Sequence, residues 1–310
     1  MRDIFIRRLM DIAVADPRIF LITGDLGFGV LTQFEERFPK QFLNVGVAEQ
    51  NMTGVATGLA LEGRIVFTYS IGNFPTLRCL EQIRNDVCYH NANVKIVSIG
   101  GGFSYGQLGM SHHATEDLAI LRAIPNLAVV SPGTDWEAAE ATSALVSRPG
   151  PCYLRLDKSS SDAQPRPGEQ FEIGRARVLT EGDDIAIIAT GGILAVALGA
   201  SRRLAETGIN ARVISIHSIK PFDSETILDA ARETGGIVTL EEHRIEGGLG
   251  SVVAETCMDG GVFPRGFRRL ALDGGFACAV GDQQYLRQRY GMDEDAVCAA
   301  VQQTLASVDA

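Results

Sequence analysis

Short apolar runs alternate with helix-like stretches through most of this chain, and that alternation constrains its fold more than any other feature. Residues 2–15 read as an amphipathic helix, 19–23 as a buried strand, 49–61 as a helix and 64–68 as a strand. Residues 76–89 then read as a helix, 94–99 and 126–130 as strands, 135–146 as a helix capped by Thr134, and 152–156 as a strand. A helix between two strands carries the chain back over the sheet, so successive strands run parallel. The segment KSSSDAQPRPGEQ, residues 158–170, breaks the rhythm: it is polar, rich in Ser and Pro, and has little to bury. The alternation resumes with strands at 185–189, 211–216 and 236–240, a helix at 193–207, a stretch 221–231 leading into the last of these strands, and helices to the end. The expected fold is α/β with two doubly wound domains. Residues 1–160 form a parallel-sheet domain, 161–170 a linker, and 171–310 a smaller α/β domain.

A length of 310 residues supports two cores, and 34 glycines suit tight strand-to-helix turns. A net charge of −10 supplies no basic field, which argues against nucleic-acid and membrane binding while leaving a local anion site open. Arg2, Arg7 and Arg8 look superficially like the start of a signal peptide, but Asp3 and Asp11 interrupt them and no long apolar run follows. No run approaches transmembrane length, so the expectation is a cytoplasmic protein. Six cysteines are scattered without a CxxC, as for reduced thiols.

Three segments have the composition of a site. In NVGVAEQNMTGVATGLALEG, residues 44–63, Glu49 stands where a strand-like start meets a helix. A carboxylate there can simply stabilise the positive helix end. Its apolar surroundings also fit a buried acid that needs a partner or a proton. Gly54 and Gly58 share a helix face and permit close backbone approach. In LGMSHHATEDLAILRAIPN, residues 108–126, His112 and His113 precede a helix and point different ways, so a shared metal does not fit. Either one caps a helix start, or one imidazole faces a cleft and moves protons. The run Gly100–Gly102 after a strand lets backbone approach a ligand or merely turn, and it is not a dinucleotide fingerprint. His217 and His243 read as ordinary ends of structural elements.

These pieces in this order resemble the transketolase family over nearly the whole chain. The resemblance rests on GDLG at 24–27, NVGVAEQNMTG at 44–54, EQIRND at 81–86, GMSHHATEDLA at 109–119 and RAIPNLAVVSP at 122–132. It implies a pyrimidine-binding domain followed by the family's C-terminal domain, as in split transketolases. The implied cofactor is thiamine diphosphate, with Glu49 on the aminopyrimidine N1′, where a protonated carboxyl favours the imino tautomer that activates the thiazolium. Asp25 and Leu26 match positions beside the bent cofactor. Tyr69 and Phe74, flanking YSIGNF, are the two aromatics available to stack on the pyrimidine. His112 matches the substrate-side histidine, and Arg155 and Arg2 match positions that bind substrate phosphate. The family's diphosphate and Mg²⁺ (or Ca²⁺) grip, a GDG motif followed by an Asn, is missing from this chain. The resemblance therefore implies a partner N-terminal subunit carrying that motif, in an α2β2 assembly. Gly100, Gly29 and Leu108 stand where the family often has His, Ser and Asp. Lost polar partners of this kind cost roughly 1–3 kcal/mol each, which points to a non-standard or modified sugar (phosphate) substrate. Two other readings use the same residues: the β subunit of a 2-oxo acid dehydrogenase E1 component, and a non-catalytic scaffold subunit.

Overall fold

The computed structural model describes residues 1–308. The chain opens with helix α1 (Arg2–Ala15), which turns Phe5, Ile6, Leu9 and Ala13 inward at helical spacing. Strand β1 (Ile19–Thr23), helix α2 (Thr32–Arg37), strand β2 (Phe42–Asn44), helix α3 (Glu49–Leu61) and strand β3 (Ile65–Ile71) follow. Residues 77–88 then coil irregularly: a 3₁₀ turn (Leu77–Cys79), one α-helical turn α4 (Leu80–Gln82) and a π-helical turn (Ile83–Cys88). The regular helix expected over 76–89 is thus corrected. The wider π turn keeps Ile83, Val87 and Cys88 in the core, and such turns recur beside functional sites.

Strand β4 (Val94–Ile99) leads through a long loop to α5 (Asp117–Arg122), then β5 (Ala128–Val130), α6 (Asp135–Ser147) and β6 (Cys152–Leu156). Thr134 caps α6 as expected, its hydroxyl accepting from the Glu137 amide at 3.0 Å. The second half runs β7 (Arg177–Thr180), β8 (Ile185–Ala189), α7 (Leu194–Glu206), β9 (Ala211–Ser215), β10 (Ser218–Lys220), α8 (Ser224–Glu233), β11 (Ile237–Arg244), α9 (Leu249–Asp259), β12 (Phe267–Leu272), α10 (Gln283–Arg289) and α11 (Glu294–Val308).

The elements make two mostly parallel sheets. The first has the order β10-β5-β6-β4-β3-β1-β2, and only β10 runs antiparallel. The second has the order β12-β11-β8-β9-β7, with β7 antiparallel. Strand β10 comes from the second half of the chain yet completes the first sheet. One apolar cluster runs through both halves, joining Ile22, Val66 and Tyr153 to Ile188, Ile214 and Ile237. Residues 161–170 are less loose than their composition suggests. Ser161 is buried and its amide bonds the Gly133 carbonyl at 2.8 Å, while Glu169 binds Arg177 at 2.6 Å.

In the first sheet the chain moves from β1 outward to β2, then crosses back to β3 on the other side of β1. This reversal opens a crevice beyond the carboxyl ends of β1 and β3, where ligands bind in open α/β sheets.

Candidate active site

Glu49 reaches this crevice from the first turn of α3 and is 2% exposed. Its Oε2 accepts from Arg78 Nη1 at 2.8 Å. The partner that a buried acid requires is therefore a guanidinium, from the irregular turn after β3. The Arg78 guanidinium also lies 4.7 Å over the Phe74 ring, and the Phe74 ring meets His112 edge-on at 5.2 Å. Glu49, Arg78, Phe74 and His112 thus form one connected row along the sheet edge.

The loop after β1 supplies the floor. Gly24 packs against the Glu49 side chain, where an added Cβ would lie 3.5 Å from its Cγ. Asp25 has a positive φ of 59° and exchanges two 3.0 Å hydrogen bonds with the Asn44 amide group. Asn44 also accepts from the Gly46 amide, so it ties the loop after β1 to the loop leading into α3. Leu26 is half-buried beside Asp25, its carbonyl accepting from the Thr23 hydroxyl.

The two adjacent histidines do point apart. His113 is buried, with its ring edge-on to Phe103 at 5.1 Å. His112 is half-exposed toward Phe74, and Ser111 Oγ lies 3.0 Å from its Nδ1. Burial, with His113 adding to it, holds the His112 imidazolium below its ordinary range, so the ring is neutral at neutral pH and able to accept a proton. Asn73 fixes this loop by donating to the His113 carbonyl at 2.8 Å.

Two of the residues expected at the site are elsewhere. Tyr69 is a core residue: it is 2% exposed inside β3, stacks on Phe5, and burial pushes its phenol pKa up. It has no free face for a ligand, which leaves Phe74 as the aromatic of the crevice. Arg155 is also buried, with its guanidinium 3.7 Å from Asp117, 3.4 Å from Asp157 and 3.0 Å from the Glu242 carbonyl. It is enclosed by carboxylates and cannot reach a phosphate in the crevice. The cation that faces outward is Lys158, just past the end of β6, with its Nζ 3.8 Å over the Tyr105 ring. Lys158, Tyr105, Arg2 and Arg7 line a cavity of about 440 Å³, with Asp3, Asp135 and Asp157 also at its wall. Arg2 is paired with Asp3 at 2.8 Å and remains partly exposed. Gly100, beside this cavity, has its side-chain space filled by Tyr105, whose ring would lie 2.2 Å from an added Cβ. Gly29 and Leu108 are exposed at the rim.

Sequence reasoning missed Arg78, Asn44, Tyr105 and Lys158. A signal existed for Lys158. A strand in the middle of a parallel sheet is covered on both faces, so an Arg inside β6 is buried, while the first cation beyond its carboxyl end faces the ligand side. No comparable signal marked Arg78, which lies outside any regular element.

Gly54 and Gly58 are exposed, and nothing in this chain approaches them within 4 Å of an added Cβ, so no close backbone contact forms there. His243 is fully buried, bonding the Arg244 carbonyl through Nδ1 and accepting from the Ala119 amide through Nε2. His217 is buried against Phe171. All six cysteines are free. Among the described residues no three His, Cys, Asp or Glu side chains converge as a metal site, and no helix is long and apolar enough to cross a membrane.

This geometry can be set beside known proteins. Residues 1–163 match the transketolase pyrimidine-binding domain and residues 174–304 the transketolase C-terminal domain. An apulose-4-phosphate transketolase subunit of Phocaeicola vulgatus is 36% identical, covering 96% of this chain and 95% of its own. The 6-deoxy-6-sulfo-D-fructose transketolase subunit SqwH of Clostridium sp. (strain MSTE9) is 36% identical over 94% of this chain and 90% of its own. A solved structure described as a split gene transketolase, inactive beta4 tetramer, superposes with a TM-score of 0.87 at 37% identity, covering 98% of this chain and 97% of that one. By both domain matches and by relatives aligned over nearly their full length, the chain belongs to the transketolase family.

Proposed function

We propose that this chain is the C-terminal subunit of a heteromeric thiamine diphosphate-dependent transketolase, moving a two-carbon ketol unit from a ketose to an aldehyde. The observation that carries this reading is a buried Glu49 at the sheet's reversal point, on one edge with Phe74 and His112. When bound, the cofactor supplies a thiazolium that stores the electron pair left by C–C cleavage. Glu49 would hydrogen-bond the aminopyrimidine N1′, taking that ring in place of Arg78. Phe74 would stack on the pyrimidine, and Leu26 would pack against the cofactor beside it. His112, neutral and half-exposed, would take the proton of a sugar hydroxyl or, once protonated, give one to the carbonyl oxygen.

The residues present fit the pyrimidine end of the cofactor and not the diphosphate end. In this reading the diphosphate and its Mg²⁺ sit on an N-terminal subunit with a GDG motif, and the active assembly is α2β2. Phe28, Val47, Leu108 and Met110 stand exposed around the crevice, apolar surface that a covering subunit would remove from water. Gly54 and Gly58, bare in this chain, suit the same contact.

The substrate proposed is an anionic, modified sugar. Arg2 and Lys158 line one cavity and would hold its phosphate or sulfonate end, with Lys158 replacing Arg155 in that role. The named relatives act on apulose-4-phosphate and on a sulfo-sugar, both anionic. The decisive experiment mixes this chain with its partner subunit and thiamine diphosphate. Ketol transfer should need both chains, and Glu49→Ala should lower kcat by about 10²–10⁴-fold, the range of a lost acid–base group. Full turnover by the Ala variant, or by this chain alone, would refute the reading.

A further inference from the structure

None of the crevice residues named above belongs to the C-terminal half, yet that half grips the loop on which His112 stands. Phe103, from the loop after β4, is fully buried in the apolar cluster of the second half, where it stacks on Tyr290 at 5.5 Å. Its amide donates to Glu242 Oε2 at 2.9 Å. Glu242 is 2% exposed on β11 and is itself held by Gln283 at 2.9 Å and by Arg287 Nε, both from α10.

The glycine run 100–102, which by sequence could approach a ligand or merely turn, approaches these side chains. A Cβ on Gly101 would lie 1.8 Å from Arg155 Nε, and one on Gly102, whose φ is +57°, 2.3 Å from Glu242 Oε2. Gly102 then pairs by two backbone hydrogen bonds, 2.8 and 3.1 Å, with Ala114, two residues from His112. The His113 ring rests on the Phe103 ring. A continuous set of contacts therefore runs from Glu242 through Phe103 and Gly102 to the His112 backbone.

We infer that Glu242 is a positioning residue for the transfer reaction, setting the loop of residues 100–114 and through it the imidazole of His112. The inference rests on the role proposed above for His112. A carboxylate facing two donors on α10 and one amide on the loop fixes that amide in one place. Without it, Phe103 keeps its apolar anchor but its backbone loses the acceptor that sets its orientation.

The test uses the complex reconstituted with the partner subunit. Glu242→Ala should lower kcat by about 10- to 100-fold with a smaller change in KM, the usual scale for a misplaced catalytic group. Glu242→Gln keeps an acceptor oxygen for the Phe103 amide and should restore most of the rate. In the His112→Ala background, Glu242→Ala should cost little more. Hydrogen exchange on the full chain alone should rise at amides 102–114 in Glu242→Ala and stay near wild type in Glu242→Gln. Glu255→Ala breaks an exposed ion pair to Arg122 that also joins the two halves, and it should change neither readout. An equal loss of rate in the wild-type and His112→Ala backgrounds, or unchanged exchange at 102–114, would overturn the inference. If His112→Ala alone leaves turnover intact, the reading of His112 fails, and the exchange data still decide whether Glu242 sets the loop.

Discussion

Two Arg–carboxylate groupings lie against the first sheet, and they differ mainly in access to water. In one, Glu49 is buried but its partner Arg78 keeps 46% of its side chain exposed, at an edge lined by exposed apolar residues. In the other, Arg155 is enclosed by Asp117, Asp157 and the Glu242 carbonyl, while Tyr153 donates to Asp117 at 2.5 Å and the Gly192 amide to Asp157 at 2.6 Å. The first group has a free side on which a ligand can replace a partner. The second has its partners supplied by both halves of the chain and works as a clamp between them. The same residue types serve as machinery or scaffold according to what covers them.

The contrast can be broken most sharply at Arg155. Arg155→Met leaves Asp117 and Asp157 buried without their cation and should cost about 3–5 kcal/mol in denaturant unfolding of the full chain. A loss below about 1 kcal/mol would mean that the clamp is not a unit. A second, smaller effect belongs to the cavity wall. Lys158→Met should raise KM for a phosphorylated or sulfonated sugar by roughly tenfold or more, the scale of a lost charge-assisted hydrogen bond, and leave folding unaffected. If Arg155→Met raised KM in a stable protein while Lys158→Met did not, the assignment of the anion site would be reversed. The smallest effect is expected at Arg78. Arg78→Met should cost about 1–2 kcal/mol of unfolding free energy, less than Arg155→Met, because it strands one buried carboxylate, Glu49, at an edge where the guanidinium was already nearly half in water. A cost matching that of Arg155→Met would erase the distinction between the open and the closed grouping.

The central strands were legible because each is mostly apolar, with at most two polar residues: residues 19–23, 94–99, 152–156 and 185–189 carry their pattern in adjacent residues. The edge strands β2, β7, β10 and β12 were not, since an edge has one neighbour and tolerates polar side chains such as those of Arg268 and Arg269. That β10 joins the first sheet could not be read locally, because its partner β5 lies about ninety residues earlier. At the site, Glu49 was legible as an acid at a strand–helix junction, and His112 as one of two adjacent histidines that could not share a ligand. Tyr69 and Phe74 were indistinguishable by type and nearness, and only the depth of β3 separates them.

What the residues determined unaided is a property of neighbours in sequence: the order of the central strands and most of the helices between them, the cap at Thr134, the acid at 49, and the motifs by which the chain resembles its family. What tertiary structure decided is which charged and aromatic groups meet water. Arg155 turned inward and Lys158 outward because one lies within a strand covered on both faces and the other lies past its end. The Glu49–Arg78 pair and the Glu242–Phe103 contact join residues 29 and 139 positions apart. Burial and long-range pairing are set by how layers stack, and no local pattern of side chains encodes them alone.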